Sequence, residues 1–341
     1  MTFKQARFWV LCRLAEGIYW GFYLLVKVLP PVLFIGVARP FLGLLITTVV
    51  PKTRIIKNLT AAFGQSYSLA SKKGLARGVQ EHFVKNLIDC FFQLRLPEYA
   101  QQTITIDGRH NLEAALGKGK GIIALGAHIG NFVLVGTRLG AEGLPFHSLF
   151  RMPKDKRIQA IIAGRIRDLR QAIIPSRGKR GAVATILQAL KTNGIVFILA
   201  DNLRSGKIVT ELFGQSVRTS RGPVSLALRS GAPVLPIYLI RSYNGELRLI
   251  IEPEISLVRS GNVAADIIQN TALIASGLER LIRCYPDQWN WLTVRMRGTV
   301  PAGERNAALS APPRDAARSP VTLHSPLSST SWSERFFDAP S

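Results

Sequence analysis

Residues 121–136 read GIIALGAHIGNFVLVG, and they carry two signals of different kinds. GIIALG (121–126) is a short, unbroken apolar run, the pattern of a strand covered on both faces. His128 follows at once, among Gly126, Ala127 and Gly130. In an α/β sheet the carboxyl end of a strand is where ligands bind. Small neighbours let a substrate approach the ring, and imidazole is the side chain best suited to take a proton near neutral pH. Alone, such a histidine is more often a structural one in a loop than a base.

Working outward, a second buried strand stands out in GIVFILAD (194–201), which ends in Asp201. PFHSLF (145–150), APVLPIYLIR (232–241) and ELRLIIEPEI (246–255) read as further strands. Helical spacing marks 154–171, 222–231 with Gly231 as its C-terminal cap, and 263–286, which Pro286 ends. Residues 58–100 are helical by the same test. This alternation predicts an α/β fold: a mixed central sheet flanked by helices. If the strands before His128 and Asp201 are neighbours, the two side chains share one sheet edge. A carboxylate there would hold the imidazole tautomer and stabilise the imidazolium. The alternative for Asp201 is a turn or helix cap.

The N-terminal region is strongly apolar. Residues 18–38 approach the ~20 apolar residues a bilayer span needs, with Lys27 and Pro30-Pro31 as blemishes. The prolines kink such a span or break it into a re-entrant or interfacial element. Trp20 and Tyr23 suit an interface. The alternative is a buried helix pair of a soluble domain. Basic residues flank both ends, so charge does not set an orientation. The expected division is an anchor region over 1–57, a catalytic domain over 58–300 and a disordered tail, rich in Pro, Ser and Ala, over 301–341.

With 44 Lys+Arg against 21 Asp+Glu, the formal net charge is +23, which favours acidic partners. No dense basic tract or nucleic-acid motif is present, so anionic lipid is preferred over nucleic acid. Cys12, Cys90 and Cys284 are few and widely spaced, which argues against a disulfide framework or a zinc site.

Four blocks recur in a recognisable order: AHIGNF (127–132), LADN (199–202), ELFGQSVRTSRGPVSLALRSGAPVLP (211–236) and YPDQWNWLTVRMR (285–297). Together with the apolar N-terminus they resemble the lipid A biosynthesis (lauroyl/myristoyl) acyltransferase family, within the lysophospholipid acyltransferase superfamily. The resemblance runs to about Arg297. It implies an enzyme of the bacterial inner membrane with its active site facing the cytoplasm. The enzyme would move an acyl chain from acyl carrier protein or acyl-CoA to a hydroxyl of a glycolipid, such as a lipid A precursor, with no metal and no cofactor. Membrane lipid and acyl carrier protein are the implied partners, and nucleic acid is not.

By the same resemblance His128 is the general base. Asn131 orders the loop or the oxyanion region, and Arg151 lies near the acceptor. Arg165 or Arg167 matches a further family arginine, with a solvated helix face as the alternative. Asn202, Phe213 and Gly214 complete the implied substrate-binding set. Pro236, Trp289 and Trp291 are expected to serve packing.

One position departs from the family. The usual motif places Asp or Glu five residues after the histidine, and here that residue is Val133. Either Asp201 takes over the partner role, as an acid at the corresponding strand end does in the phosphatidylinositol mannoside acyltransferase branch, or the chain is an inactive relative that binds lipid or acyl carrier protein.

Overall fold

The computed structural model describes residues 3–292, apart from 97, 169–170, 177–178 and 204–205. The tail expected over 301–341 lies outside the described residues. The chain opens with four helices, α1 (Phe3–Val28), α2 (Pro31–Val49), α3 (Lys52–Phe63) and α4 (Leu69–Arg95). The apolar N-terminus is therefore two helices rather than one span over 18–38. Pro30, held extended by the proline that follows it, is the break. Pro31 then occupies the first turn of α2, where a missing N–H is harmless. Both α1 and α2 are long and apolar enough to cross a membrane. Helix α3 runs through residue 57, and α4 starts where Ser68 accepts a hydrogen bond from the Ser71 amide at 3.1 Å.

Helix α5 (Tyr99–Thr103) leads into β1 (Ile104–Asp107), and the alternating part follows. In order come α6 (Arg109–Leu116), β2 (Ile122–Gly126), α7 (Val133–Gly140) and β3 (Phe146–Phe150). Then come α8 (Lys156–Asp168), β4 (Gln171–Pro175), α9 (Lys179–Lys191) and β5 (Ile195–Leu199). A hairpin of β6 (Ile208–Leu212) and β7 (Gln215–Thr219) precedes α10 (Gly222–Ser230), β8 (Val234–Arg241), β9 (Leu247–Ile251) and α11 (Val263–Cys284).

The main sheet has seven strands in the order β1-β9-β8-β2-β5-β3-β4. Every adjacent pair is parallel except β8–β9, so the sheet is mixed, as the alternation of elements predicted. Successive side chains of a strand point to opposite faces, and two apolar layers follow from that. Ala124, Phe197 and Leu235 pack with Leu134 and Leu139 of α7. Ile123, Val196 and Val234 pack with Leu190 of α9 and Val224 of α10. A third cluster joins α1–α4 to Trp289, Trp291 and Phe213.

Some boundaries differ from the sequence expectation. The strand read over 246–255 stops at Ile251, because Pro253 has no N–H for the ladder. The helical stripe read over 154–171 ends at Asp168. QAIIP after it forms β4, which among the described residues pairs only with β3 as an edge strand, where its terminal proline is tolerated.

Candidate active site

β2 and β5 are direct neighbours in parallel register, with Gly126 opposite Leu199. The Ala200 amide extends the ladder by donating to the Gly126 carbonyl at 2.8 Å. His128 and Asp201 thus leave the same sheet edge side by side. Nδ1 of His128 lies 2.8 Å from Oδ1 of Asp201. A carboxylate only accepts, so the proton sits on Nδ1 and leaves Nε2 with its lone pair free. Oδ2 of Asp201 accepts from the His128 backbone N–H at 2.8 Å and from the Trp289 indole N–H at 2.9 Å. The Asp201 side chain is fully shielded from solvent, whereas His128 keeps 29% of its side-chain surface exposed. Phe132 sets its ring edge against the imidazole, with centroids 5.0 Å apart.

These contacts shift the titration of both groups. Burial alone would push the Asp201 carboxyl up; the bonds and charge of His128, with help from Trp289, outweigh it and hold the group below the usual carboxylate range. Burial would likewise lower His128, but Asp201 outweighs that and raises the imidazole above its ordinary value.

The loop carrying His128 is held from several sides. The Asn290 amide donates to the His128 carbonyl at 2.9 Å. The Gly130 amide donates to the Gln288 carbonyl and the Asn131 amide to the Leu239 carbonyl, both at 3.0 Å. Gly130 has a φ of +53°, and a Cβ there would lie 1.8 Å from the Leu239 oxygen, so no other residue fits. Asn86 Nδ2 donates to the Gly130 carbonyl at 2.8 Å.

Asn131 is almost fully buried behind the loop. Its amide nitrogen donates to the Asn86 carbonyl and to Asp89 Oδ2, each at 3.2 Å. Asp89 also accepts from Tyr99 Oη at 3.0 Å and is ion-paired with Arg241. Burial pushes the Asp89 carboxyl up, and Arg241, Asn131 and Tyr99 offset this only in part. The side-chain amide of Asn131 thus orders the loop from the interior and does not face the open side of His128.

The remaining predicted residues divide into two groups. Arg151 is exposed just beyond β3, which pairs with β5, so it stands on the same sheet edge as the His–Asp pair. Asn202 is exposed next to Asp201. Arg165 is instead engaged by α1: its Nε donates to Tyr19 Oη at 2.7 Å and its guanidinium lies 4.7 Å from the Tyr23 ring centre. Arg167 is on the exposed face of α8.

Phe213 and Gly214, with φ of 52° and 70°, form the tight two-residue turn between β6 and β7. Phe213 packs on Phe63 and Trp291. Pro236 lies in β8 opposite Leu125. Trp289 and Trp291 are fully buried and meet edge to face at 4.7 Å. Val133 is the first residue of α7 and is half exposed. Sequence reasoning missed the bond from Trp289 to Asp201 and the Asp89–Arg241 pair, both of which depend on contacts far apart along the chain.

A His–Asp pair at the carboxyl edge of the sheet, with an exposed arginine further along the same edge, is an arrangement chemically suited to take a proton from a hydroxyl. The sequence profile of the bacterial lipid A biosynthesis acyltransferases matches residues 3–298. The chain belongs to that family. The lipid A biosynthesis palmitoleoyltransferase of Escherichia coli (strain K12) is 27% identical over 315 residues, 89% of this chain and 95% of that protein. The phosphatidylinositol mannoside acyltransferase of Mycobacterium tuberculosis (strain CDC 1551 / Oshkosh) is 27% identical over 194 residues, 55% of this chain and 58% of that protein. That of Mycolicibacterium smegmatis (strain ATCC 700084 / mc(2)155) is 27% identical over 195 residues, 56% of this chain and 62% of that protein. The chain therefore spans about three-fifths of the length of the mannoside acyltransferases it matches.

Proposed function

We propose that this chain is a membrane-associated acyltransferase. It moves a fatty acyl group from acyl carrier protein or acyl-CoA to a hydroxyl of a glycolipid such as a lipid A precursor, at the cytoplasmic face of a bacterial inner membrane. The observation that carries the reading is the 2.8 Å contact between His128 Nδ1 and Asp201 Oδ1 at the shared strand edge. Family membership supplies the reaction class, and the +23 charge suits an anionic lipid and an acidic carrier.

The chemistry follows from the tautomer. Nε2 of His128 takes the proton from the acceptor hydroxyl as its oxygen attacks the thioester carbonyl carbon. The tetrahedral intermediate collapses with cleavage of the C–S bond, and Nε2 returns the proton to the leaving thiolate. An ester and a free thiol result, with His128 neutral before and after. Asp201 remains a carboxylate throughout and stabilises the transient imidazolium. Arg151 and Asn202, exposed at this edge, are the proposed acceptor contacts. Asn131, Phe213, Gly214 and Arg165 act from behind by holding the loop, the hairpin and α8 in place.

The test is direct. Purified protein in lipid vesicles, given a labelled acyl thioester and candidate glycolipid acceptors, should transfer label. His128→Ala should lose about 10²–10⁴-fold in rate, the usual worth of a general base, with its fold intact by circular dichroism. Full activity in His128→Ala would overturn the mechanism. Lipid analysis of a deletion strain would name the acceptor.

A further inference from the structure

Helices α1 and α2 each have the length and hydropathy of a membrane span. Their partners are inconsistent with spanning. Helix α2 lies antiparallel along the second half of α4 for its whole length. At one end Gln80 Nε2 donates to the Val50 carbonyl at 2.6 Å; further along Phe34 meets Phe92 with ring centres 5.5 Å apart. At the other end Arg95 reaches the Leu29 carbonyl at the head of α2. Residues 80–95 of α4 thus run beside α2 for about 24 Å at 1.5 Å per residue, most of the ~30 Å hydrocarbon core. That stretch carries Glu81, Lys85, Asp89 and Arg95. Arg39, in the middle of α2, pairs with Glu81 at 3.3 Å on an exposed surface. A spanning α2 would draw all of these charges into the bilayer, where charged side chains are costly and rare.

Helix α1 is tied to the same water-facing body. Arg13 Nη2 bonds both carboxylate oxygens of Asp155 at 2.8 Å, just before α8. Arg165 of α8 holds Tyr19, and Arg95 Nη1 donates to the Val26 carbonyl at 3.0 Å. Contacts to charged elements therefore run from residue 13 to residue 29 of this segment. The outer surfaces of the two helices are nonetheless apolar: Trp9, Leu24, Val28, Val32 and Leu44 are all more than half exposed. Exposed basic residues border them, Lys52, Arg54 and Lys57 beyond α2 and Lys156, Arg157 and Arg167 on α8.

We propose that α1 and α2 form an in-plane anchor: they lie on one leaflet of an anionic bilayer, with their outer faces in the acyl region and the basic border among the headgroups, and neither crosses the membrane. The buried stripe of α2, Phe34, Ala38, Leu42 and Ile46, seats it on α4, and the remaining apolar circumference meets lipid. The anchor thereby holds α4, and through Asp89 and Asn131 the loop of His128, at a fixed height above the lipid.

Depth measurement tests this on the full chain, with Cys12→Ala, Cys90→Ala and Cys284→Ala as background. Spin labels go singly at Trp9→Cys, Trp20→Cys, Val28→Cys, Phe41→Cys and Val49→Cys, in vesicles of phosphatidylcholine and phosphatidylglycerol. Collision with oxygen and with an aqueous nickel chelate gives each depth. All five should lie at one shallow level, about 5–10 Å below the headgroups. A profile in which Trp20 or Phe41 sits near the bilayer centre, about 15 Å deep, while the helix ends lie at the surfaces would overturn the proposal. So would failure of the chain to float with the vesicles. The inference rests on the membrane association proposed above and not on acyl transfer, so loss of activity in a labelled variant leaves this readout intact.

Discussion

Asp201 and His128 are 73 residues apart in sequence and joined twice in space: Oδ1 takes the ring Nδ1–H and Oδ2 takes the backbone N–H, both at 2.8 Å. A single carboxylate thereby fixes both the tautomer of the ring and the path of the chain that carries it. Asp201 thus occupies, toward Nδ1, the place that the family's usual acid five residues after the histidine would take.

Val133 occupies that usual position, half exposed at the first turn of α7, which contains no acidic residue. Val133→Asp should leave acyl transfer within about threefold, because Asp201 already holds Nδ1. A carboxylate at a helix N-terminus should add about 0.3–1 kcal/mol of stability. Combined with Asp201→Asn it should not restore activity. Rates and melting temperatures of the three variants check this.

The rate should rise with pH through an apparent value above that of an ordinary histidine, since the neutral ring is the base and Asp201 holds the imidazole pKa up. Asp201, held low, stays ionised throughout that range. The stability contributions have opposite senses. That of protonated His128 is complete below the unfolded histidine value of about 6.5 and is lost as pH rises through the higher folded value. That of Asp201 is present above the unfolded value of about 3.9 and is lost as pH falls through its lower folded value. A pH–rate profile at saturating thioester, with melting curves over the same range, reads both.

Arg241→Met removes the partner of Asp89 while approximating its bulk. Loss of one member of a buried pair typically costs about 3–5 kcal/mol. The carboxyl of Asp89 is already pushed up by burial, so protonation relieves the variant. The deficit should therefore be larger at pH 8 than at pH 5. Denaturant titrations at the two pH values measure it, and a pH-independent deficit would remove Asp89 from the explanation.

Much of the arrangement was legible because strand ends announce themselves. GIIALGAH and GIVFILAD each pair an unbroken apolar run with a chemical residue at its carboxyl end, and parallel neighbours align such ends. The family pattern marks Phe213 and Gly214, but not their place in a hairpin turn with positive φ or the seat of Phe213 on Trp291. QAIIP was hidden because an edge strand ending in proline has neither the length nor the alternation of a typical strand. The indole of Trp289 looked like packing since nothing local shows that its N–H meets Asp201. The two N-terminal helices pass for spans by length and hydropathy; only their partners on α4 and α8, distant in sequence, show what lies beside them.

The central claim is that Asp201 makes His128 a base. Asp201→Asn tests it most directly. In that variant the side-chain amide oxygen would turn to the two N–H donors now held by Oδ2, and the NH₂ group would then face Nδ1. That forces the proton onto Nε2, the atom that must accept. Label transfer from acyl thioester to glycolipid acceptor, measured across pH 6–9 for the wild type and this variant, should show a loss approaching about 10⁴-fold, the size of the effect when a triad acid is replaced by its amide. Rates within twofold of the wild type across that range would contradict the account.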